Sequence, residues 1–389
     1  MQLTRVVVCL LVVSAAAGAR ADELVIRGNY WRDRNTRILQ PEVDVLKETR
    51  TGTIVGAHYL LDTITSASVA AGAVRDHPFT ELRHEVGARL GQRVGPATIS
   101  ASYSYSSESD YWAHFVKLGV VAELFGKMTT LATSLSYGHD TVALRQGPTV
   151  YVELGKLDAV GWNLGVTQIL TRTLTLTVGY ELLVSGFGKQ SNGFQSNAYR
   201  PANVGGSPLR EQTPYQRFRH SVAASANWIV PLGGVVPWIA FRPSLRAYVD
   251  DWNVVSVTPE LRTFLPVGPI EFRLTGRYYR QSAASFFREQ NGVPFYTAGV
   301  KCTSCTSATV RAGEYFTSDP KLSRFDSMFV ELRLLLKLSF LARLPKFPMA
   351  RFLSAGIVEV SYGHYFTSAL QRRTFGDAEV AGLTFTFPL

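Results

Sequence analysis

Apolar and polar side chains alternate with a period of two along most of this chain. In residues 269–281 (PIEFRLTGRYYRQ), Ile270, Phe272, Leu274 and Tyr278 hold even positions, while charged and polar side chains hold most of the odd ones. Successive side chains of a strand point to opposite faces, so this period predicts a strand with one apolar and one charged face. Segments of this kind predict about sixteen strands, with about fourteen as the alternative count.

The connections between the predicted strands alternate in length. The strands are predicted at residues 23–31, 36–47, 52–61, 81–93, 97–106, 112–124, 129–138, 159–170, 173–183, 218–230, 236–249, 254–265, 269–281, 329–340, 351–366 and 379–387. Short turns alternate with long polar loops near residues 63–80, 140–158, 184–214, 282–320 and 367–377. An even strand number with this asymmetry predicts an all-β fold, a transmembrane antiparallel β-barrel whose apolar faces meet lipid.

The amino-terminus has the pattern of a cleaved signal peptide over residues 1–21. Arg5 precedes the apolar residues 6–13, and Ala19-Arg20-Ala21 has the small residues of a cleavage site. The mature barrel is then residues 22–389, exported to the bacterial outer membrane. Its expected partners are outer-membrane lipid and, during biogenesis, the barrel-assembly machinery.

Composition agrees with a barrel and argues against other classes. Charged residues make up 18% of the chain and aromatic residues 12%, which is a mixture typical of barrels with aromatic girdles. No apolar run of about 18 residues, the length a membrane helix needs, follows the amino-terminus. The net charge of +10 is spread over many strands, so we do not expect nucleic-acid binding.

Six short stretches resemble an uncharacterised family of predicted bacterial outer-membrane proteins, the domain-of-unknown-function family 3570. They are residues 62–68 (DTITSAS), 107–111 (SESDY), 167–170 (TQIL), 248–252 (YVDDW), 277–287 (RYYRQSAASFF) and 318–323 (SDPKLS). The resemblance covers most of the mature chain, and the arginine-tyrosine-tyrosine stretch is its most specific part. The resemblance implies an outer-membrane barrel and no established activity.

Charged residues on the polar faces of the later strands are the candidate lumen residues. They are Arg242, Arg246, Glu260, Arg262, Glu271, Arg273, Arg277, Glu331, Arg333 and Lys337. Buried charges need partners or water, so either a wet lumen or a closed, salt-bridged core satisfies them. A wet lumen with excess arginine favours a porin-like channel for small anionic solutes. A plugged barrel that serves a structural or surface-recognition role stays open as the alternative.

Acidic residues also gather where predicted strands meet the long loops. They are Asp62, Glu108, Asp110, Asp250, Asp251 and Asp319. A rim of carboxylates could bind a cation such as calcium, which prefers carboxylate and carbonyl oxygens. The alternative is that these residues stabilise turns, because Asp side chains accept backbone hydrogen bonds there.

Two further features bear on chemistry. Cys302 and Cys305 lie in the longest predicted loop, and in an oxidising compartment this spacing favours a small disulfide. A hydrolase would need a nucleophile and a base that meet in space, but His220 and Ser221 are neighbours on one predicted strand and face opposite ways. We therefore predict that the chain is not an enzyme.

Overall fold

The strands close into one antiparallel ring. The computed structural model describes residues 22–34, 36–66, 79–145, 151–187, 194–204, 207–287, 289–290, 293–294, 315–317, 319–343, 350–367 and 376–388. Sixteen strands form a closed barrel in the order β1-β2-β3-β4-β5-β6-β7-β8-β9-β12-β13-β14-β15-β18-β19-β20. The all-β fold and the sixteen strands that the sequence predicts are confirmed.

The barrel strands have lengths between 10 and 19 residues. They are β1 (Glu23–Arg32), β2 (Thr36–Glu48), β3 (Thr53–Ser66), β4 (Phe79–Val94), β5 (Ala97–Ser107), β6 (Tyr111–Leu124), β7 (Thr129–Arg145), β8 (Tyr151–Ile169), β9 (Leu174–Phe187), β12 (Gln216–Gly233), β13 (Val236–Asp250), β14 (Val255–Val267), β15 (Ile270–Gln281), β18 (Phe325–Lys337), β19 (Ile357–Thr367) and β20 (Ala378–Pro388). Two small hairpins lie outside the ring, formed by β10 (Phe194–Val204) with β11 (Ser207–Pro214) and by β16 (Glu289–Gln290) with β17 (Val293–Pro294).

The first and last strands complete the ring. Strands β1 and β20 pair antiparallel from Glu23 opposite Pro388 to Arg32 opposite Glu379. Every barrel strand therefore has a hydrogen-bonded neighbour on both sides. In hydrocarbon this arrangement matters, because an unpaired backbone group there has no water to replace its partner.

The two faces of the ring differ in chemistry as the period of two predicts. Outward positions of adjacent strands carry large apolar side chains, such as Leu274 opposite Leu332 and Leu245 beside Pro259. Leu274 is 53% exposed, an unusual value for leucine in a soluble protein but the expected one on a surface that lipid covers. Inward positions carry charged and small polar side chains.

Tight turns join β4 to β5, β6 to β7, β12 to β13 and β14 to β15 at one end of the barrel, here called the turn end, whereas β3, β7, β9, β15 and β19 run to the opposite end, here called the loop end. Gly95, Gly126 and Gly268 adopt positive φ in the tight turns of the turn end. Glycine suits these positions because it lacks the Cβ that makes a left-handed backbone unfavourable. Glu23 of β1 and Pro388 of β20 also lie at the turn end.

The structure corrects several predicted boundaries. Strands β3, β7, β8 and β9 reach further into the predicted loops, and part of the loop near residues 184–214 forms the β10–β11 hairpin. The strand predicted at residues 329–340 ends at Lys337, and a 3-10 helix follows (Leu338–Arg343). Leu338 and Leu341 are three residues apart, which suits a helical turn rather than a strand.

The strand predicted from residue 351 begins at Ile357. A single α-helical turn, α1 (Ala350–Leu353), precedes it, and Phe352 of this turn stacks on Phe387 of β20 at a ring-centroid distance of 5.1 Å. The aromatic contact holds this helical turn against the turn end of the barrel. Among the described residues, no helix has the length and apolar character to span a bilayer.

The outward face predicts a sharp difference between two arginine substitutions. We expect Leu274→Arg, near the middle of β15, to lower the free energy of unfolding in lipid vesicles by about 2–4 kcal/mol, because it forces a charge into hydrocarbon. The matched control is Ser134→Arg, at an inward position of β7, which we expect to change stability by less than about 1 kcal/mol. Equal losses in the two variants, measured by denaturant titration, would contradict the assignment of faces.

Candidate functional site

The ladder registers place the predicted lumen residues on the inward face of β13, β14, β15 and β18. Glu260 lies opposite Arg277, Arg262 opposite Thr275, and Arg273 opposite Arg333. All ten predicted residues share this face: Arg242, Arg246, Glu260, Arg262, Glu271, Arg273, Arg277, Glu331, Arg333 and Lys337.

Most of these charges are paired along the strands rather than across them. Glu260 and Arg262 form a salt bridge of 2.7 Å, Glu271 and Arg273 one of 2.6 Å, and Glu331 and Arg333 one of 2.9 Å. Partners two residues apart on one strand share a face, so the period of two that predicts the lumen also brings these ions together. The result is a row of alternating negative and positive side chains on one wall of the lumen.

Glu359 of β19 extends this row of charges, although it is not among the predicted lumen residues. Its carboxylate accepts a hydrogen bond of 2.7 Å from Nη1 of Arg333 and lies 3.6 Å from Nη1 of Arg273. Glu359 shares the inward face of β19 with Ser361 and Tyr365. The same alternation that identifies the other lumen residues was therefore the signal that could have found it.

Of the ten predicted lumen residues, two cations lack a carboxylate partner in the described part of the chain. The guanidinium of Arg242 stands 5.3 Å from the ring centroid of Phe264, and Lys337 is exposed at the turn end. Arg246 has only a long contact of 3.8 Å with Glu181, and it also donates to Ser221 Oγ. This wall therefore presents positive charge that carboxylates do not fully neutralise.

A second charged group lies on the inward face of β2, β3 and β4. The Nδ1 atom of His58 is 2.9 Å from Asp44, and Arg27 of β1 forms a salt bridge of 2.8 Å with Glu42. Glu85 of β4 lies 3.9 Å from Nε2 of His58. Strands β3 and β13 are eight places apart in the ring of sixteen, as are β4 and β14, so the two charged walls face each other across the lumen.

Water reaches the inward side chains. The side chains of Arg262 and Arg333 are 43% and 36% exposed although both point away from lipid. A barrel of about sixteen strands is too wide for its own side chains to fill, whereas one of about eight is not. The inward face is thus a solvated lining rather than a dry core.

An aromatic cluster, here called the rim core, lies at the loop end of β12–β15. It consists of Trp252, Val254, Ala284, Phe286 and Leu322, with Tyr248 and Phe287 packed against it. The guanidinium of Arg217 lies 4.3 Å from the Trp252 ring centroid, a cation–π distance. Because Arg217 and Tyr248 occupy inward positions, the rim core covers this side of the mouth.

Asp250 is the polar centre of the rim core. Its side chain is fully buried, and it accepts hydrogen bonds from Nε of Arg217 at 2.8 Å and from the Tyr248 hydroxyl at 2.7 Å. The backbone N–H groups of Trp252 and Val254 also donate to it, at 3.1 and 2.8 Å. Backbone N–H groups commonly donate to an Asp side chain in this way in a turn that follows a strand, as the alternative interpretation of these acidic residues predicts.

The six acidic residues predicted at the rim divide into three places. Asp250 and Asp251 lie at the β13–β14 turn, where Asp251 accepts from the N–H of Phe218. Asp319 accepts from the N–H of Lys321 within a 3-10 turn. Asp62, Glu108 and Asp110 lie on the other side of the mouth, so no single ring of carboxylates forms.

Asp62, Glu108 and Asp110 belong to a buried acidic cluster completed by Glu81 and Arg83. Asp62 lies within β3, four residues before the strand ends, and forms a salt bridge with Arg83 of β4. Burial is the main cause that raises the pKa of the Glu108 carboxyl to about 7. The positive charge of Arg83 opposes this rise, whereas the negative charges of Glu81, Asp110 and Asp62 add to it. Glu81 is not among the predicted rim residues, although it lies two positions before Arg83 and therefore on the same face of β4.

Other predicted residues fall outside these groups. Cys302 and Cys305 lie outside the described residues, as does the signal peptide at residues 1–21. His220 points outward and shares a hydrogen bond of 2.8 Å with the Tyr180 hydroxyl, whereas Ser221 points inward toward Arg246.

A family model described as "protein of unknown function (DUF3570)" matches residues 49–344. The chain belongs to the DUF3570 family. No curated protein matches its sequence.

Solved structures with the same fold are outer-membrane barrels with low sequence identity to this DUF3570 chain. A bacterial polysaccharide outer membrane secretin superposes with a TM-score of 0.50 and 8% identity, covering 96% of this chain and all of that one. CdiB from Acinetobacter baumannii superposes with a TM-score of 0.52 and 8% identity, covering 95% of this chain and 60% of that one. At such identity the likeness shows the fold alone.

The stretches that carry the family resemblance converge in space. Residues 248–252, 277–287 and 319–323 meet in the rim core, where Nε2 of Gln281 donates to the carbonyls of Lys321 and Ser323. Residues 62–68 and 107–111 supply Asp62, Glu108 and Asp110 to the acidic cluster. Only residues 167–170 lie elsewhere, at the turn end of β8.

The Asp250 contacts predict how the rim core responds to mutation. We expect Asp250→Ala to lower the free energy of local unfolding of the rim core by about 3–5 kcal/mol, because it leaves the Arg217 guanidinium without its buried partner. The measurement is hydrogen exchange of the Trp252, Val254 and Ala284 amides, which we expect to become faster while strand β5 stays protected. The neighbouring Asp251→Ala, at an exposed side chain, is the control, and equal exchange in both variants would contradict the role of Asp250.

Proposed function

We propose that this DUF3570 protein is a water-filled, porin-like channel of the bacterial outer membrane that passes small anionic solutes. The observation that supports it best is the pair of charged walls that face each other across a solvated lumen. A solute that crosses the barrel must pass between them.

The ionic lining supports diffusion rather than tight capture. The side chains of Glu260, Glu271 and Glu331 are already salt-bridged to Arg262, Arg273 and Arg333, respectively, at distances under 3 Å. A passing solute therefore finds a polar surface with few strong unsatisfied sites, and channels need binding weak enough for the solute to leave.

The preference for anions follows from the wall made by β9 and β12–β19. Eight inward arginines stand on it with six carboxylates: Arg217, Arg219, Arg242, Arg246, Arg262, Arg273, Arg277 and Arg333, with Glu181, Asp250, Glu260, Glu271, Glu331 and Glu359. Arg242, which has no ion pair among the described residues, is the side chain most able to attract a passing anion. The carboxylates of the β2–β4 wall give the lumen a transverse field, which orients solutes that carry both charges.

A second candidate, a plugged barrel with a surface-recognition role, is favoured by the rim core. This cluster folds residues 282–287 and 319–323 over the β12–β15 side of the mouth. If the same segments close the mouth entirely, the loop surface rather than the lumen carries the function. Both candidates assign the protein to transport or recognition and not to catalysis.

Conductance across planar lipid bilayers separates the two candidates. We expect the refolded mature chain to form ion-conducting pores whose reversal potential in a KCl gradient indicates anion preference. Arg242→Ser should shift that potential toward cation selectivity, because it removes a lumen charge that no carboxylate pairs. Arg280→Ser is the control, since it removes one positive charge from the lipid side of β15.

A folded wild-type barrel that conducts no ions would contradict the channel and support the plugged barrel. Migration that changes on heating in gel electrophoresis establishes that the barrel is folded. Equal shifts of the reversal potential in the two arginine variants would contradict the lumen as the selective surface.

A further inference from the structure

The Glu108 carboxyl is buried at the loop end without a hydrogen-bond partner. The residue lies in the turn between β5 and β6 and is 8% exposed. Its Oε1 atom makes no hydrogen bond among the described residues. Burying a carboxylate without compensation is strongly unfavourable, so a buried oxygen in this position indicates an absent partner.

Two further carboxylates surround it. Oxygens of Glu81, Glu108 and Asp110 lie within 4.8 Å of one another. Arg83, a cation beside them, forms a salt bridge with Asp62. Among the described residues, no salt bridge reaches Glu81 or Glu108, so the negative charge of these two carboxylates is not neutralised by a protein cation in direct contact.

Backbone hydrogen bonds hold these carboxylates in place. Ser109 N–H donates to Oε1 of Glu81 at 2.9 Å, and Glu108 N–H donates to the Tyr111 carbonyl at 2.8 Å. The Asp110 carbonyl accepts from the N–H of Ala143, also at 2.8 Å, which ties the turn to β7. The three acidic side chains are thus attached to a hydrogen-bonded backbone network that spans β4 to β7. A ligand would therefore need to move them little.

We propose that Glu81, Glu108 and Asp110 bind a divalent cation of the calcium class at the loop end of the barrel. The donor set is all oxygen, which suits a hard cation and not zinc or copper. Calcium tolerates irregular geometry and takes about six to eight oxygens, so waters and nearby carbonyls complete its shell. The cation supplies the partner that the Glu108 oxygen lacks and joins the β5–β6 turn to β4.

A second three-residue group of potential ligands in the described part of the chain does not lack partners in this way. Glu42, Asp44 and His58 also lie within 4.8 Å of one another. There, however, Asp44 is paired with His58 at 2.9 Å, and Glu42 with Arg27 at 2.8 Å. Protein cations already satisfy these carboxylates, and Glu42 is therefore the matched control site.

Terbium luminescence and calcium competition test the proposal on the whole mature chain. The protein is refolded from inclusion bodies into detergent, which keeps it free of lipopolysaccharide and its own bound cations. Tyr111 and Trp112 lie beside the cluster and can sensitise Tb³⁺ emission. We expect wild type to bind one Tb³⁺ that Ca²⁺ displaces, and Glu108→Gln to weaken this binding by at least about tenfold because one charged ligand is lost.

Glu42→Gln should bind as wild type does. Thermal unfolding with Ca²⁺ or with chelator gives a second readout, and calcium should raise the Tm of wild type but not of Glu108→Gln. Absence of saturable binding by wild type at millimolar Ca²⁺ would overturn the proposal, as would equal affinity in wild type and Glu108→Gln. Loss of binding in Glu42→Gln alone would also overturn it, since the cation would then belong to the other group.

Discussion

Satisfaction of backbone hydrogen bonds in hydrocarbon is the constraint on which this structure depends. A strand surrounded by lipid cannot exchange a lost partner for water, so each edge must meet another strand. The pairing of β1 with β20 meets that demand by closing the ring. Once the ring is closed, the alternation of side chains assigns every second residue to lipid and the others to the lumen.

The charges of the lumen follow from that closure. A ring of sixteen strands encloses more space than its inward side chains fill, so water enters and makes ionised residues tolerable there. Pairs two residues apart on one strand, such as Glu260 with Arg262, then neutralise each other locally. The remaining arginines and the carboxylates on the opposite wall set the electrostatic character of the passage. The rim core and the acidic cluster stand on opposite sides of the mouth and contain most of the sequence that resembles the family.

Much of this architecture could be predicted from the sequence because the signal is periodic. The strand of residues 269–281 and the inward position of Arg273 follow from alternation alone, with no knowledge of neighbours. Strand ends were less predictable, since the turn of Leu338–Arg343 departs from the strand pattern over only six residues. The grouping of Asp62 with Glu81 and Glu108 depends on the register between three strands. No local pattern reports that register, which explains why one predicted acidic rim became separate sites.

The central claim is that lipid covers one side of each barrel strand and water the other. Spin labels placed singly at residues 270–281 of β15, in protein refolded into lipid vesicles, test it most directly. Paramagnetic relaxation by oxygen, which concentrates in lipid, should peak at even positions, and relaxation by a water-soluble nickel chelate should peak at odd ones. The absence of a period of two, or the reverse assignment of the two reagents, would contradict this account.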